Sequence, residues 1–441
     1  MKKIIGYTIL LFCFSSCDVL DVEPYNTIPA SEAFKNAADL ERGILGAYSS
    51  FQSLGYYGRT YGIFADLAAD NLIHPDNATA VAYAEVDNNA ILPENTSVDG
   101  IWIAIYDGIN VANNVISKVP GIPGLTEAEG NKALGELYFI RALHHFNLVN
   151  YFGAVPYKSI PTAGVSNVNV PRDEVDYIYD RIIQDLLFAS ANLPATGSKI
   201  RASGLAADAL LARVYLYKKD YTNAAAHAFK VINSGSFSLL PSYASIFEGE
   251  VTGESIFEID FTALDRNRIA EYNFPLTENG RGEVAPSPEL VGSYDVSDDR
   301  FASTYDYSGT APYVIKYDDL ATGADNVIVL RLAEMYLIRA EANTHLEGNL
   351  VTIKSDINQI RNRASLGNVN ANTYAEILLA IERERRVEFA FEGHRWFDLV
   401  RTGRAVDVLS TVSNINQTLF PIPLSEILTN TNPGMYQNPG Y

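Results

Sequence analysis

The sequence predicts a mainly α-helical protein in which paired helices follow one another, with long irregular loops and a few short strands. Two observations carry this expectation. Apolar residues recur at three- and four-residue steps in block after block, the period of a half-buried helix. Between two such blocks lies a long stretch, 237–326, rich in Gly, Pro, Ser and Tyr and lacking that period. Composition agrees. The chain has 441 residues, 47% hydrophobic and 20% charged, which is ordinary globular material able to bury a sizeable core.

The N-terminal segment reads as processing rather than fold. Lys2 and Lys3 supply positive charge, and Ile4 to Phe14 form an apolar run shorter than the roughly 20 residues of a spanning helix. Ser15 and Ser16 then precede Cys17. This is the pattern of a lipoprotein signal over residues 1–16, cut before a cysteine whose thiol carries the lipid, although Phe14 stands where Leu is usual. The two cysteines are Cys13, inside the apolar run, and Cys17. The mature chain is therefore expected to keep one, acylated, with no disulfide, thiolate metal site or Cys nucleophile. Residues 17–37 read as a lipidated tether, wetted by Asp18, Asp21 and Glu23 and kept from helix by Pro24 and Pro29.

From residue 38 one domain is expected to run to 441. Leu40, Ile44, Tyr48 and Phe51 mark the first helix, from about Ala38. A long connection, Ser53 to Ser97, holds Tyr56, Tyr57, Tyr61, Asp70, Asn71 and Tyr83. The next helix carries Ile101, Ile105, Ile109 and Val115, with Trp102 and Tyr106 one position on. Another runs from about Asn131 to Gly153, and a third from Asp176 to Leu193, stopped by Pro194. Gly204 to Gly235 reads as two helices joined near Lys218-Lys219-Asp220. Its Ala212, Ala224 and Ala228, with Tyr215, fit the tetratricopeptide spacing of about 34 residues, where small residues let paired helices cross closely. Arg331 to Ala364 is a second pair of that kind, and the last long helix begins near Tyr374. Within 237–326, Ser255 to Phe261 (SIFEIDF) alternates and predicts a short strand. A loop-rich region this long inside a helical protein is a place to expect function.

Charge and motifs narrow the chemistry. With 33 Lys+Arg against 53 Asp+Glu, the formal net charge is −20, which repels phosphate backbones and argues against a nucleic-acid partner. No G-x-S-x-G elbow and no phosphate-binding P-loop occur. GRGEVA, Gly280 to Ala285, matches a dinucleotide fingerprint only superficially, because no clear strand and helix flank it and Pro286 follows. The six histidines include no pair at zinc-protease spacing, and the adjacent His144 and His145 point about 100° apart on a helix. No carboxylate pair stands out among the acids. Neither a catalytic set, a metal site nor a cofactor is expected.

One stretch remains, ERERRVEFAFEGHRWFDLVRTG, Glu382 to Gly403. Tyr374, Leu378 and Ile381 share a helix face that continues at helical steps to Arg385, Glu388 and Glu392, so the buried face turns ionic midway. Buried charges must be paired, and Arg385 and Glu388 have the spacing to meet. Gly393 is positioned to end the helix, with a restart at His394. The favoured reading is a structural ionic latch rather than an active site.

That stretch resembles the C-terminal hallmark of the SusD/RagB family. VLRLAEMYLIRAEA (Val329 to Ala342) looks like the family's R-x-A-E helix, and the end from Leu419 to Tyr441 looks like its PIP…QNPGY segment. Ile140 to Tyr157, Ile200 to Tyr221 and Asp39 to Asn71 are similar to its middle and first helices. The resemblance implies a tetratricopeptide-like helical superhelix decorated by loops. It also implies a lipid-anchored nutrient-binding protein of the outer membrane, facing the cell surface. Such a protein captures glycans, or peptides in some branches, and hands them without any reaction to a SusC-like TonB-dependent transporter. Trp102 and Trp396 fall in framework motifs, so stacking on a sugar would pass to tyrosines: Tyr57 and Tyr83 from the first long connection, and Tyr272, Tyr305 and Tyr307 from the second. Asp70 and Asn71 would hold hydroxyls. The rivals are a surface glycoside hydrolase and a pure tetratricopeptide scaffold.

Overall fold

A computed structural model describes residues 34–162, 164 and 166–441. The signal, Cys17 and most of the tether lie outside these residues. Eight long helices form one continuous stack. Thr96–Lys118 packs on Glu127–Phe152, which packs on Val175–Asn192, and that on Gly204–Tyr217. Tyr221–Asn233, Leu332–His345, Leu350–Arg363 and Tyr374–Glu388 continue the series, each against the one before. The stack passes directly from Tyr221–Asn233 to Leu332–His345, so the whole intervening stretch is looped out of it. This is the tetratricopeptide-like arrangement that the Gly204–Gly235 pair predicts.

Local chemistry sets the helix ends. Thr126 and Glu129 form a capping box that starts Glu127–Phe152 four residues before the apolar period becomes visible. Thr373 and Glu376 do the same for Tyr374–Glu388. The first tetratricopeptide pair turns at Lys219, at φ 62. Its first helix, Gly204–Tyr217, is buried on every side from Gly204 to Leu216, as a helix inside a stack must be, and its alanines make that possible. The pitch is tight elsewhere too: a Cβ at Gly108 would lie 2.4 Å from the His144 ring, so only glycine fits where Thr96–Lys118 crosses Glu127–Phe152.

The structure corrects three expectations. The connection 53–97 contains two helices, Thr60–Leu67 and Val81–Asp87. Thr60–Leu67 is buried on nearly all sides, so it shows no polar face and no period. The strand Ser255–Ile259 ends short of Phe261 and pairs antiparallel with Val327–Arg331. Both strands are buried along their whole length rather than alternating, because protein covers both faces. Third, the last long helix stops at Glu388, five residues before Gly393. The Glu388 carbonyl is taken by Arg331 Nη2 (2.8 Å) and by the Tyr243 hydroxyl (2.7 Å). Positive-φ residues Phe391 and Gly393 then turn the chain into the short helix Arg395–Arg401.

Candidate functional site

The ionic stretch is a clamp. Glu388 is fully buried and faces Arg300 (3.0 Å), Arg331 (2.6 Å) and Arg363. Glu392 accepts from Arg331 (2.8 Å) and Lys316 (3.0 Å). Glu384 accepts from Arg300 (2.5 Å) and Arg361 (3.1 Å). Arg385 does not meet Glu388 as its spacing suggests. It donates to Asp398 at 2.7 Å in the following helix. Every carboxylate here is matched to a cation from another element, which is the arrangement of a structural latch. Trp102 and Trp396 are core residues, packed on Phe152 (5.0 Å) and Phe420 (5.9 Å).

The two long connections come together on one face. Leu72–Ile73 pairs antiparallel with Ala285–Pro286. Ser287 N donates to Asn71 O (2.9 Å), and Arg268 N donates to Gly58 O (2.8 Å). Glu283 accepts from Thr79 N (3.0 Å), Thr79 Oγ1 (3.0 Å) and Ala80 N (2.9 Å). GRGEVA forms part of this joint rather than a nucleotide loop. A Cβ at Gly280 would lie 2.0 Å from the Phe274 carbonyl oxygen, so the turn requires glycine there.

Most of the tyrosines and polar groups expected to meet a ligand serve this joint instead. Tyr57 is buried and its hydroxyl accepts from Asn147 Nδ2 (2.8 Å). Tyr83 is 2% exposed, wedged between Phe64 (4.9 Å) and Tyr272 (5.6 Å). Tyr272 is buried beneath arginines, with Arg59 4.4 Å from its ring centre. Asp70 is held by Arg395 at 2.6 and 3.0 Å, while buried Asn71 donates to Asp66 (2.6 Å) and accepts from Arg386 (3.1 Å). These are corrections with one cause. A loop that closes over a helical core packs its aromatics inward and pairs its acids with the core's arginines.

Tyr305 and Tyr307 stand apart from that group. Both sit on the hairpin Tyr305–Ser308/Ala311–Val314, whose two-residue turn uses Gly309 at φ 67. They lie on one face of the hairpin, rings 5.8 Å apart. Tyr305 is buried against Tyr294 (5.9 Å) and Phe301 (6.2 Å), whereas Tyr307 is 48% exposed and Phe301 41%. The result is an aromatic row graded from core to solvent. The opposite hairpin face rests on the neighbouring loop through Tyr313 and Phe274 (4.9 Å), and Ser308 bonds Thr277 (2.9 Å) and Glu278 (2.8 Å). Phe301 and Tyr294 are members of the row that sequence reasoning missed. Neither shows a local pattern, and only the hairpin fold brings them beside Tyr305. Among the described residues no group of three or more His, Cys, Asp or Glu is placed to hold a metal ion, and no helix is long and apolar enough to cross a membrane.

Known proteins share this arrangement. The model of the SusD family matches residues 313–441, and the model described as starch-binding associating with outer membrane matches residues 18–216. A SusD-like protein of Formosa agariphila is 29% identical over the full length of both chains. The starch-binding protein SusD of Bacteroides thetaiotaomicron is 26% identical, covering 79% of each chain. Among solved structures, a laminarin-binding SusD-like protein superposes with a TM-score of 0.83 at 27% identity, covering 92% of this chain and all of its own. A SusD superfamily protein of Bacteroides vulgatus, at 22% identity, shares the fold with a TM-score of 0.84 over 92% of this chain and 99% of its own. Matched at both ends by such models, along its full length by a SusD-like relative, and in its helical stack by solved SusD-like structures, the chain is similar to SusD/RagB family proteins throughout.

Proposed function

We propose that this protein is a glycan-binding lipoprotein of the outer membrane, held by a lipidated Cys17 and facing the cell surface. It captures oligosaccharides on its loop-built face and delivers them to a SusC-like TonB-dependent transporter, acting by binding alone. Relatives named for starch and laminarin binding support the ligand class. The observation that carries the proposal is the aromatic row ending in Tyr307 and Phe301. A half-exposed ring backed by the buried Tyr305 ring is a rigid apolar platform for the C–H face of a sugar. A few hydroxyl hydrogen bonds at about 0.5–1.5 kcal/mol each, with one or two stacked rings at a similar value, reach about −4 to −8 kcal/mol. That corresponds to a Kd from about millimolar to micromolar. Calorimetry with laminarin and starch oligosaccharides tests this. Tyr307→Ala should weaken binding several-fold to about tenfold at an unchanged melting temperature. Binding indifferent to this substitution would remove the row from the site.

A further inference from the structure

Four arginines converge around Tyr272, where the two long connections meet. Arg59 comes from the first connection, and Arg266, Arg268 and Arg281 from the second. Three of them surround one ring: the guanidinium carbons of Arg59, Arg281 and Arg268 lie 4.4, 5.0 and 5.9 Å from the centre of Tyr272. Among the described residues two carboxylates are in contact with the four. Glu271 takes Arg268 and, at 3.4 Å, Arg266. Glu283 meets Arg281 at 3.2 Å, but its oxygens already hold Thr79 and Ala80. Among the described residues Arg59 pairs with no carboxylate. Its Nε donates to Thr60 Oγ1 (3.1 Å) and its Nη1 to the Tyr272 hydroxyl (2.7 Å).

This is an unusual placement in a chain of net charge −20. In the C-terminal clamp, each guanidinium is buried and answered by carboxylates. Here the side chains of Arg266 and Arg281 are 44% and 45% exposed, and that of Arg268 is 33% exposed. A guanidinium lying over a ring face keeps its N–H edge directed outward, and that edge matches a carboxylate or sulfate with two parallel hydrogen bonds. The loop that carries Arg266, Arg268 and Arg281 also carries Thr277 and Glu278, which bond the Tyr307 hairpin. The cationic patch is therefore joined through one loop to the hairpin, on the face opposite the Tyr307 ring.

We propose that the ligand of this protein is an anionic oligosaccharide, with the four-arginine cluster around Tyr272 taking its carboxylate or sulfate groups. The proposal rests on the glycan reading above and adds the charge of the ligand. The acidic remainder of the molecule repels a polyanion, so the patch both binds it and sets where it docks. Binding through exposed charges weakens as salt screens them.

The test is calorimetry on the full mature chain with three probes: tetragalacturonate for carboxylate, λ-carrageenan oligosaccharides for sulfate, and laminaritetraose as the neutral control. At least one charged probe should bind tenfold or more tightly than laminaritetraose at low salt and lose most of that advantage in 0.5 M NaCl. The double variant Arg266→Gln/Arg281→Gln, chosen because both side chains are half exposed, should lose tenfold or more for the same probe. If the variant melts early, the salt titration of the unaltered protein decides. Laminaritetraose binding as tightly as both charged probes overturns the anionic assignment and leaves the glycan reading standing. Charged probes that bind regardless of salt and of the double substitution overturn the role of the cluster. Absence of binding by all three probes overturns the anionic assignment, and the starch and laminarin calorimetry above then decides the glycan reading separately.

Discussion

Arg331 holds Glu388 twice, donating from Nη1 to its carboxylate at 2.6 Å and from Nη2 to its backbone carbonyl at 2.8 Å. Arg331 closes the strand Val327–Arg331 and opens the helix Leu332–His345, and Glu388 ends the last long helix. One side-chain pair thus fixes the buried strand to two members of the stack and dictates where the last helix stops.

Removing Glu388 should therefore be severe. Glu388→Ala leaves Arg300, Arg331 and Arg363 facing one another without their shared carboxylate. Breaking a buried pair by deleting one partner costs about 3–5 kcal/mol, a large part of the roughly 5–15 kcal/mol that holds a typical protein folded. The expected result is a sharply lowered urea midpoint or failure to accumulate. A variant that melts normally but binds no glycan would instead place Glu388 in a ligand site.

Tyr83 separates core from ligand roles by a pair of substitutions. Its ring fills space between Phe64 and Tyr272, and among the described residues no well-formed hydrogen bond reaches its buried hydroxyl. Tyr83→Ala should destabilise by about 3–5 kcal/mol, as loss of a buried aromatic ring does. Tyr83→Phe should be neutral or slightly stabilising, because it removes an unsatisfied polar atom. Both follow from chemical denaturation. A Phe variant less stable than the unaltered protein would mean that the hydroxyl has a partner.

The contrast between these residues explains what the sequence reveals. The Gly204–Gly235 pair is legible because its small residues and its break at Lys219 are local features. The helix Thr60–Leu67 is not, since burial on all sides erases the period that marks a helix. Tyr83 and Tyr272 look like exposed loop residues until the strand pair Leu72–Ile73/Ala285–Pro286 closes one connection on the other. Arg385 and Glu388 share a helix spacing, yet their partners come from Asp398 and from Arg300, Arg331 and Arg363. The arginine cluster leaves no local trace, because Arg59 reaches the other three only through the fold. Of the expected ligand tyrosines, Tyr307 alone keeps an open face, which its place on a hairpin decides.

The anchor offers a prediction away from the folded body. Cys17 follows an apolar run and is the cysteine that the proposed cleavage would leave at the N-terminus. Lipid chains bind membranes at about 0.8 kcal/mol per buried CH₂, so two or more hold firmly. Cys17→Ala should move the protein from outer-membrane fractions to soluble ones and remove the lipid mass from the intact protein. Unchanged membrane retention and unchanged mass would sink the lipoprotein assignment.

Acid should unfold this protein earlier than its carboxylates alone would suggest. His144, His145 and His394 are all buried. Burial pushes His145 down to about 3 and holds His144 and His394 well below the usual imidazole range, the latter helped by Arg213 and Arg385. The geometry of His145 agrees. Its Nδ1–H donates to Arg141 O (3.0 Å) and its Nε2 accepts from Lys158 N–H (3.2 Å), so a second proton would displace that backbone donor. A histidine whose folded pKa is depressed binds protons more readily when unfolded. Its stabilising contribution is present above about pH 6.5 and is lost as pH falls. Each such group loses up to about 1.4 kcal/mol per pH unit, so three lose about 4. Buried Asp66 acts in the opposite sense. Burial raises it to about 6 against the hydrogen bonds from Asn71 and Gly393, so it gains stability as pH falls through that value, and Asp87, Asp185, Glu250, Asp325 and Asp356, also raised by burial, offset the histidines in the same sense. Below about pH 4.5 the clamp adds its own loss. Burial opposes ionisation of Glu388 and Asp398, but the surrounding arginines outweigh it and hold both carboxyls well below the usual range. The urea midpoint should therefore fall from pH 7 to 5, with unfolding near pH 5 accompanied by net proton uptake. A midpoint that stays flat between pH 7 and 5 would show that at least two of these histidines are solvated or already charged in the folded protein.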